Sequence, residues 1–352
     1  MNMKKERVLL GMSGGTDSSM AACLLQQQGY EVVGVTFRFF EKDGDTKYLE
    51  EAAGLCARLG IEHLVYDARD VFRQKIIRYF ISEYMNGRTP VPCMVCNNLL
   101  KWPLMGKIAD EKGIFFIASG HYARRVTVEG KPYVRSGADT DKDQSFFLWG
   151  IPPRLLPRIL FPLGDYTKTA IRQMARDRGL EKIAEKKESM GVCFCPGDYR
   201  HFLRENVEPG AIRPGFYQDV SGTVLGKHEG FPFYTVGQRR GLGIHYQYPV
   251  FVREIIPSTN TVVIARSDQM YKKSLSLISC VFVDMADFIG EKVSCRIRYR
   301  KQRTDCSVEI LSGERAVVHF DSPVHSVAPG QSAVFYDEDR VLGGGIIDRA
   351  YD

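Results

Sequence analysis

Through the first third of the chain, short apolar runs alternate with longer stretches in which apolar residues recur every three or four positions. Residues 8–12, 32–37, 63–66 and 114–118 are short and rich in β-branched or aromatic side chains, and they predict buried strands. Residues 18–28, 47–59 and 71–85 carry the helical period, with Gly29 and Gly60 placed to stop the first two helices. Strands and helices alternating in this way predict an α/β fold, a parallel sheet covered on both faces, with ligands bound beyond the carboxyl ends of the strands. The stretch 89–101 interrupts the pattern with Pro90, Pro92, Cys93 and Cys96 and reads as a Pro-rich loop. A hairpin is expected over 124–135, turning at Glu129-Gly130. A helix over 168–178 and a charged loop over 181–196 follow.

Past residue 205 the texture changes. Gly and Pro become frequent and short strands replace the helical period. In the last part, Val293, Cys295, Ile297 and Tyr299 alternate with Ser294, Arg296, Arg298 and Arg300, giving one apolar and one mostly basic face. Cys306, Val308 and Ile310 repeat the alternation, as expected of a small closed barrel. The expected division is a parallel-sheet domain over 1–204, a small mainly-β central domain over 205–274 and a C-terminal β-barrel over 275–352.

Composition adds little to this. Hydrophobic content of 44% and charged content of 26% belong to an ordinary globular protein, and a net charge of +6 is compatible with a nucleic-acid partner without requiring one. No stretch approaches the roughly 18 apolar residues of a membrane span, and the first residues lack a signal-peptide core, so a cytoplasmic place with no membrane partner is expected. In that compartment most of the nine cysteines are reduced thiols, and close spacings point to chemistry or metal before structural disulfides.

The first candidate site is Ser13-Gly14-Gly15-Thr16-Asp17-Ser18, which follows a predicted strand and opens a predicted helix. Glycines let successive backbone N–H groups turn toward an anion, and the helix N-terminus adds a favourable dipole. Ser13 and Ser18 offer hydroxyls to a pyrophosphate, and Asp17 is placed to hold Mg²⁺ against it. Neither the Walker lysine loop nor the dinucleotide Gly-x-Gly-x-x-Gly is present. The arrangement resembles the pyrophosphatase loop of enzymes that cleave ATP to AMP and pyrophosphate.

The second candidate is sulfur. Cys93-x-x-Cys96 and Cys193-x-Cys195 fall in predicted loops, whereas Cys23, Cys56, Cys280, Cys295 and Cys306 fall within predicted helices or strands and read as small buried apolar residues. Three readings of the loop cysteines stand side by side: thiol or persulfide transfer, three or four thiolates converging on a metal or cluster, and incidental loop cysteines.

Taken in order, Gly11-Met12-Ser13-Gly14-Gly15-Thr16-Asp17-Ser18, Gly87-Arg88-Thr89-Pro90, Cys96-Asn97, Ser119-Gly120-His121-Tyr122-Ala123-Arg124, Lys142-Asp143-Gln144-Ser145, Gly191-Val192-Cys193-Phe194, Thr235-Val236-Gly237-Gln238-Arg239-Arg240-Gly241-Leu242-Gly243 and Pro329-Gly330-Gln331-Ser332-Ala333-Val334 resemble the bacterial tRNA 2-thiouridylase family, often called MnmA. The resemblance runs from residue 11 to about residue 347 and implies an adenine nucleotide α-hydrolase-like first domain. It also implies ATP-dependent adenylation of the C2 oxygen of a wobble uridine, followed by sulfur transfer to that carbon. By position Cys193 matches the persulfide carrier and Cys96 the partner nucleophile, with a Cys96–Cys193 disulfide as by-product. Gly11, Met12, Ser13, Gly14, Gly15, Thr16, Asp17, Ser18, Phe37 and Gly120 match the ATP site. Val91, Pro92, Cys93, Lys142, Asp143, Gln144, Arg298 and Tyr299 match tRNA-contacting positions. The implied partners are the tRNA anticodon loop and a persulfide-donating sulfur carrier or cysteine desulfurase. Where many members carry Asn-Pro-Asp, this chain has Val91-Pro92-Cys93. The alternative is therefore an iron–sulfur cluster of four irons and four sulfides on Cys93, Cys96 and Cys193, with Cys195 as a fourth ligand or no ligand at all.

Gln238-Arg239-Arg240 and the basic run from Arg298 to Arg303 suit phosphate and base contacts. Lys186-Lys187 reads as a charged loop, Trp102 and Trp149 as packing residues, and His121 receives no catalytic role. A different ATP-dependent ligase or amidase with the same loop, or an RNA-binding protein that consumes no ATP, are the competing functions.

Overall fold

The computed structural model describes residues 5–41, 44–186, 191–244, 248–290, 292–300, 302–311 and 314–352. Lys187, Lys301 and positions 187–190 of the expected 181–196 loop lie outside them. Among the described residues no helix is long and apolar enough to cross a membrane.

The chain divides into two units. The first comprises residues 1–74, 93–194 and 338–342. Its strands are β1 (Arg7–Gly11), β2 (Glu31–Arg38), β3 (Glu62–Asp67), β4 (Phe116–Ala118), the hairpin β5 (Ala123–Val128) with β6 (Lys131–Ser136), and the short β7 (Ile159–Leu160). Five of them form one parallel sheet in the order β3-β2-β1-β4-β7. The chain moves outward from β1 to β3 and then returns to the other side of β1. That reversal puts the topological switch point between β1 and β4, where such sheets open a crevice for ligands.

α1 (Thr16–Gln27) is buried along most of its length because it lies between the sheet and α7 (Lys168–Asp177). Val8 and Leu10 of β1, Met20, Leu24 and Leu25 of α1, and Ile171 and Ala175 of α7 belong to one core. α2 (Lys47–Leu59) adds Leu55 and Cys56 to it and ends at Gly60 in a left-handed conformation, as expected. α8 (Glu181–Ala184) is a short helix within the stretch expected to be loop. It forms because Leu180 and Ala184 are buried in the same core.

Two other expectations change on folding. Residues 71–85 are helical, but the helix is not regular: α3 (Arg69–Phe72) passes through a π turn (Arg73–Ile77) into α4 (Arg78–Met85). Residues 89–101 are not simply a loop. α5 (Pro92–Cys96) starts at Pro92, continues through a second π turn (Asn97–Lys101), and joins α6 (Trp102–Glu111). A proline in the first helical turn has no hydrogen bond to lose, so Pro92 opens this helix rather than breaking it. Trp102 is fully buried, in line with a packing role.

The second unit holds residues 75–92, 195–337 and 343–352. α4 packs through Phe80 on Phe202 and stacks Tyr84 on Tyr199, with ring centroids 5.9 and 4.4 Å apart; both partners come from α9 (Tyr199–Asn206). A four-stranded sheet follows in the order β10-β11-β8-β9, made of β8 (Gly215–Gln218), β9 (Val224–His228), β10 (Val250–Ile256) and β11 (Thr261–Arg266). The barrel contains β12 (Tyr271–Phe282), β13 (Val293–Arg296), β14 (Thr304–Ile310), β15 (Arg315–His325), β16 (Ser332–Asp337) and β17 (Arg340–Tyr351). It runs β12-β15-β14-β13-β16-β17 and closes through β12–β17 pairing. β13 ends at Arg296, so the predicted alternation through Tyr299 gives way to a turn at residues 297–300. Arg88 ties the segment before α5 to the barrel, donating to the Glu83 carboxylate, the Asp348 carboxylate and the Ile347 carbonyl.

Candidate active site

At the switch point, Gly15 caps α1 without any side-chain hydrogen bond. The first amides of α1 are therefore not taken by a cap, as an anion site requires. Gly14 bends the loop with a φ of +69°. Ser18 pins it: its hydroxyl accepts from the Ser13 amide, lies 3.2 Å from the Ser13 hydroxyl and donates to the Gly15 carbonyl. Ser119-Gly120, at the end of β4, forms the opposite wall. A Cβ on Gly120 would stand 2.9 Å from the Asp17 carbonyl carbon, so only glycine permits this approach. Phe37, at the end of β2, is buried and stacks on Phe39 with centroids 5.2 Å apart. Met12 is buried, with its carbonyl accepting from the Thr36 hydroxyl. The uncapped helix, the glycine cradle and the paired hydroxyls fit the phosphates of ATP.

Asp17 is differently occupied from the expectation. Its carboxylate takes the Lys168 ammonium at 2.7 and 2.8 Å and the Tyr122 hydroxyl at 2.8 Å. Lys168 is buried, and its backbone amide donates to Asp139. With this ammonium in place, Asp17 does not fit a directly bound Mg²⁺. Behind the loop, the Thr16 hydroxyl donates to the Ile183 carbonyl, and Lys186 bridges the Gly14 carbonyl and the Glu51 carboxylate. Lys186 thus braces the nucleotide loop instead of lying on a merely solvated turn. Lys168 and Tyr122 were not singled out as site residues in the sequence, because each is far along the chain from Asp17 and neither lies in a short motif with it.

The thiols form the other half of the site. Cys93 and Cys193 keep part of their surface exposed and Cys96 is half-buried. Burial, reinforced by the neighbouring thiols Cys193 and Cys93, pushes Cys96 up to about 12 despite the opposing charge of Lys101. Burial first, and then Cys93, pushes Cys193 up to about 11. Burial also raises Cys93, against the opposing charge of Lys101. Cys96 feels Cys193 and Cys93, and Cys193 feels Cys93, so the first unit brings these thiols near one another although Cys96 and Cys193 are nearly 100 positions apart in sequence. Among the described residues no group of three or more His, Cys, Asp or Glu side chains is arranged to hold a metal ion. Cys195 lies in the second unit, buried near Tyr84 and Asp198, and joins no such group. Cys23, Cys56, Cys280, Cys295 and Cys306 are all buried.

His121 accepts or donates one hydrogen bond with the Ser119 hydroxyl at 2.7 Å and lies 6.0 Å from the Trp102 ring. Burial and the nearby Lys101 charge hold it well below the ordinary histidine range, so it is neutral at pH 7.

The expected tRNA-contacting residues are distributed. The buried Asp143 carboxylate accepts from the Gly137 and Ser145 amides and the Ser145 hydroxyl, and Gln144 exchanges two hydrogen bonds with the Tyr122 backbone. Those two side chains therefore shape the wall that carries Tyr122, while Lys142 stands beside them in sequence. In the second unit, Arg298 donates to the Val236 and Ser326 carbonyls, and Arg300 lies over the Tyr299 ring. Arg298 thus links the Gly237-Gln238 turn to the barrel. Val91 and Pro92 belong to the second unit and Cys93 to the first.

Three family models match the chain: a tRNA methyl transferase HUP domain over residues 6–197, a tRNA methyl transferase PRC-barrel domain over 200–266 and an aminomethyltransferase beta-barrel domain over 278–347. The chain is 52% identical over 342 residues to the tRNA-specific 2-thiouridylase MnmA 2 of Phocaeicola vulgatus, covering 97% of each. It is also 52% identical to MnmA 1 of Bacteroides fragilis strain YCH46, covering 99% of this chain and 98% of that one. A solved 4-thiouridine synthetase–RNA complex with bound ATP matches 57% of this chain and 50% of that one at 18% identity and a TM-score of 0.40, too slight a likeness to inform the site. With identity above half along nearly its whole length, the chain belongs to the MnmA family of tRNA-specific 2-thiouridylases.

Proposed function

We propose that the chain is a tRNA-uridine 2-sulfurtransferase that adenylates the C2 oxygen of a wobble uridine and replaces it with sulfur carried on Cys193. The observation that carries this reading is the meeting of Cys93, Cys96 and Cys193 in the same unit as an uncapped helix N-terminus suited to ATP phosphates. Residues 1–204 carry the ATP and sulfur chemistry. Residues 205–274 and 275–352 face the tRNA, together with Val91, Pro92, Cys93, Lys142 and Tyr299, while Asp143, Gln144 and Arg298 act through the backbone groups they hold.

The amides of α1 and the Ser13 and Ser18 hydroxyls hold the phosphates of ATP, with Gly11, Met12, Gly14, Gly15, Thr16, Phe37 and Gly120 forming the rest of the site. Mg²⁺ accompanies the nucleotide without a direct bond to Asp17, which keeps Lys168 in place. Transfer of the adenylyl group to the uridine oxygen turns that oxygen into a good leaving group. The terminal sulfur of a Cys193 persulfide attacks C2 and AMP departs, leaving a C2–S–S–Cys193 linkage. The Cys96 thiolate then attacks the Cys193 sulfur. The Cys96–Cys193 bond forms, the old sulfur–sulfur bond breaks, and its electron pair leaves on the thiouridine sulfur. A reducing thiol reopens the disulfide, and a persulfide-donating carrier or desulfurase reloads Cys193. The cytoplasm supplies both.

The test is thiouridine content of tRNA digested after incubation with protein, ATP and a persulfide donor. Product should appear with the native chain and vanish with Cys96→Ser and with Cys193→Ser. Unchanged product from either variant would sink this chemistry. Iron and acid-labile sulfide in anaerobically purified protein should stay far below one cluster per chain, and a stoichiometric content would move the sulfur from the thiol to a cluster.

A further inference from the structure

Cys193 stays exposed, yet the next residue, Phe194, is only 1% exposed. Both lie in a turn. A sulfur carried on a turn has no fixed place unless something holds the turn down, and here a buried ring does so. The Phe194 ring meets Phe72 edge-on, with centroids 5.7 Å apart and an angle of 76° between the planes. It meets Phe40 in the same manner at 6.3 Å and 67°. Phe72 ends α3 and is buried, whereas Phe40 follows β2 and is half-buried. Edge-to-face pairs fix the relative orientation of two rings as well as burying them, because the positive edge of one meets the negative face of the other.

The clamp continues toward the nucleotide site. Phe72 stacks on Phe39 with centroids 5.1 Å apart, and Phe39 stacks on Phe37 at 5.2 Å. Phe37 belongs to β2 and to the ATP site proposed above. Five rings therefore run from that site to the turn that carries Cys193, all within the first unit. Aromatic clusters beneath loops are ordinarily plain core. This one differs because the ring at its far end is one peptide bond away from the residue whose sulfur must reach a carbon atom.

We propose that Phe194, clamped by Phe40 and Phe72, positions Cys193 and so sets where the persulfide sulfur stands when the adenylated uridine forms. Phe194 acts through Cys193 and is a positioning residue. The step it governs is the second of the reaction: the C2–S bond forms, the C2–O bond breaks, and AMP leaves with the electron pair. The first step, in which the uridine oxygen takes the adenylyl group and pyrophosphate leaves, uses the loop before α1 and not this sulfur. A reacting atom misplaced by about 1 Å can slow a step by about a hundredfold. Loosening the ring should therefore slow sulfur delivery and leave adenylation intact. This positioning role rests on the sulfur-transfer reading.

The experiment is a single turnover of the full-length chain, preloaded with persulfide at Cys193, in which pyrophosphate release and thiouridine formation are followed together after ATP and tRNA are added. Phe194→Ala should form thiouridine about tenfold more slowly while pyrophosphate release stays within about twofold of native. Phe40→Ala opens the clamp from its half-buried side and should show the same split at about threefold. Phe40→Tyr should restore the native rate, because the ring returns. A native thiouridine rate in either alanine variant, an equal fall in both rates, or no rescue by Phe40→Tyr would overturn the proposal. Cys193→Ser separates the two readings. Undiminished product from it, with a persulfide donor present, would sink the sulfur-transfer reading and the positioning role together. Loss of product in Cys193→Ser beside native behaviour of the Phe194 and Phe40 variants would sink the positioning role alone.

Discussion

Two groups of thiols in this protein have their acidity lowered by burial, and the proposed sulfur transfer falls on only one of them. In the barrel, Cys295 on β13 and Cys306 on β14 are buried neighbours, Cys306 lying opposite Val293 and donating to its carbonyl at 3.4 Å. Burial pushes Cys295 well above the ordinary thiol range, and Cys280 up to about 12. In the first unit Cys96 is pushed equally high. Burial is therefore not what separates a working thiol from a packing one. The difference lies in what surrounds the sulfur. Cys93 and Cys96 lie near the Lys101 charge, Cys96 and Cys193 have neighbouring sulfurs, and Cys93 and Cys193 stay exposed, whereas the barrel thiols Cys295 and Cys306 have each other and, for Cys306, the Val293 carbonyl as polar neighbours.

The comparison is broken most directly by exchanging serine for cysteine in each group. Cys193→Ser should abolish thiouridine formation, while Cys295→Ser should leave turnover within about twofold; loss of turnover in Cys295→Ser with an intact fold would assign the barrel a chemical part. Urea unfolding of Cys306→Ala should show a cost of about 1 kcal/mol, the ordinary effect of losing a packed, hydrogen-bonded group.

Next in size is the nucleotide wall. Gly120→Ala forces the new methyl group against the Asp17 backbone and should cost about 1–3 kcal/mol, with tRNA-dependent AMP release falling in step. Native AMP release would mean that the Ser119-Gly120 turn moves freely away from the loop. Lys168→Met removes the partner of Asp17 and leaves a carboxylate near the phosphates. Because Asp17 is partly exposed, the stability cost should be modest, about 1–2 kcal/mol, with a larger loss in AMP release.

The smallest effect is that of pH on stability. Burial depresses His63, His121 and His228 in the folded state. Their contribution is complete above the unfolded value near 6.5, and stability should decline as pH falls below it. Cys96, Cys193 and Cys280 are raised in the folded state, so their contribution is complete below about 8.5 and should fade as pH rises toward 11 to 12. Denaturant titrations at pH 5, 7.5 and 10 would check both slopes.

The sequence by itself determined the parallel sheet and the nucleotide loop, and through its family resemblance it pointed to Cys96 and Cys193 as the candidate sulfur residues. The sheet and the loop rest on local information: apolar period, and glycine and hydroxyl placement before a helix. It misread the Pro92–Cys96 segment because a proline interrupts a helix or begins one depending on its position in the turn, and the period alone does not tell which. Only the tertiary structure decided that Lys168 and Tyr122 meet Asp17, that Arg298 and Asp143 are spent on backbone groups, and that Cys193 returns to Cys96. Each is a meeting of residues far apart in sequence, set by how strands and helices pack, and a linear pattern holds no measure of that distance.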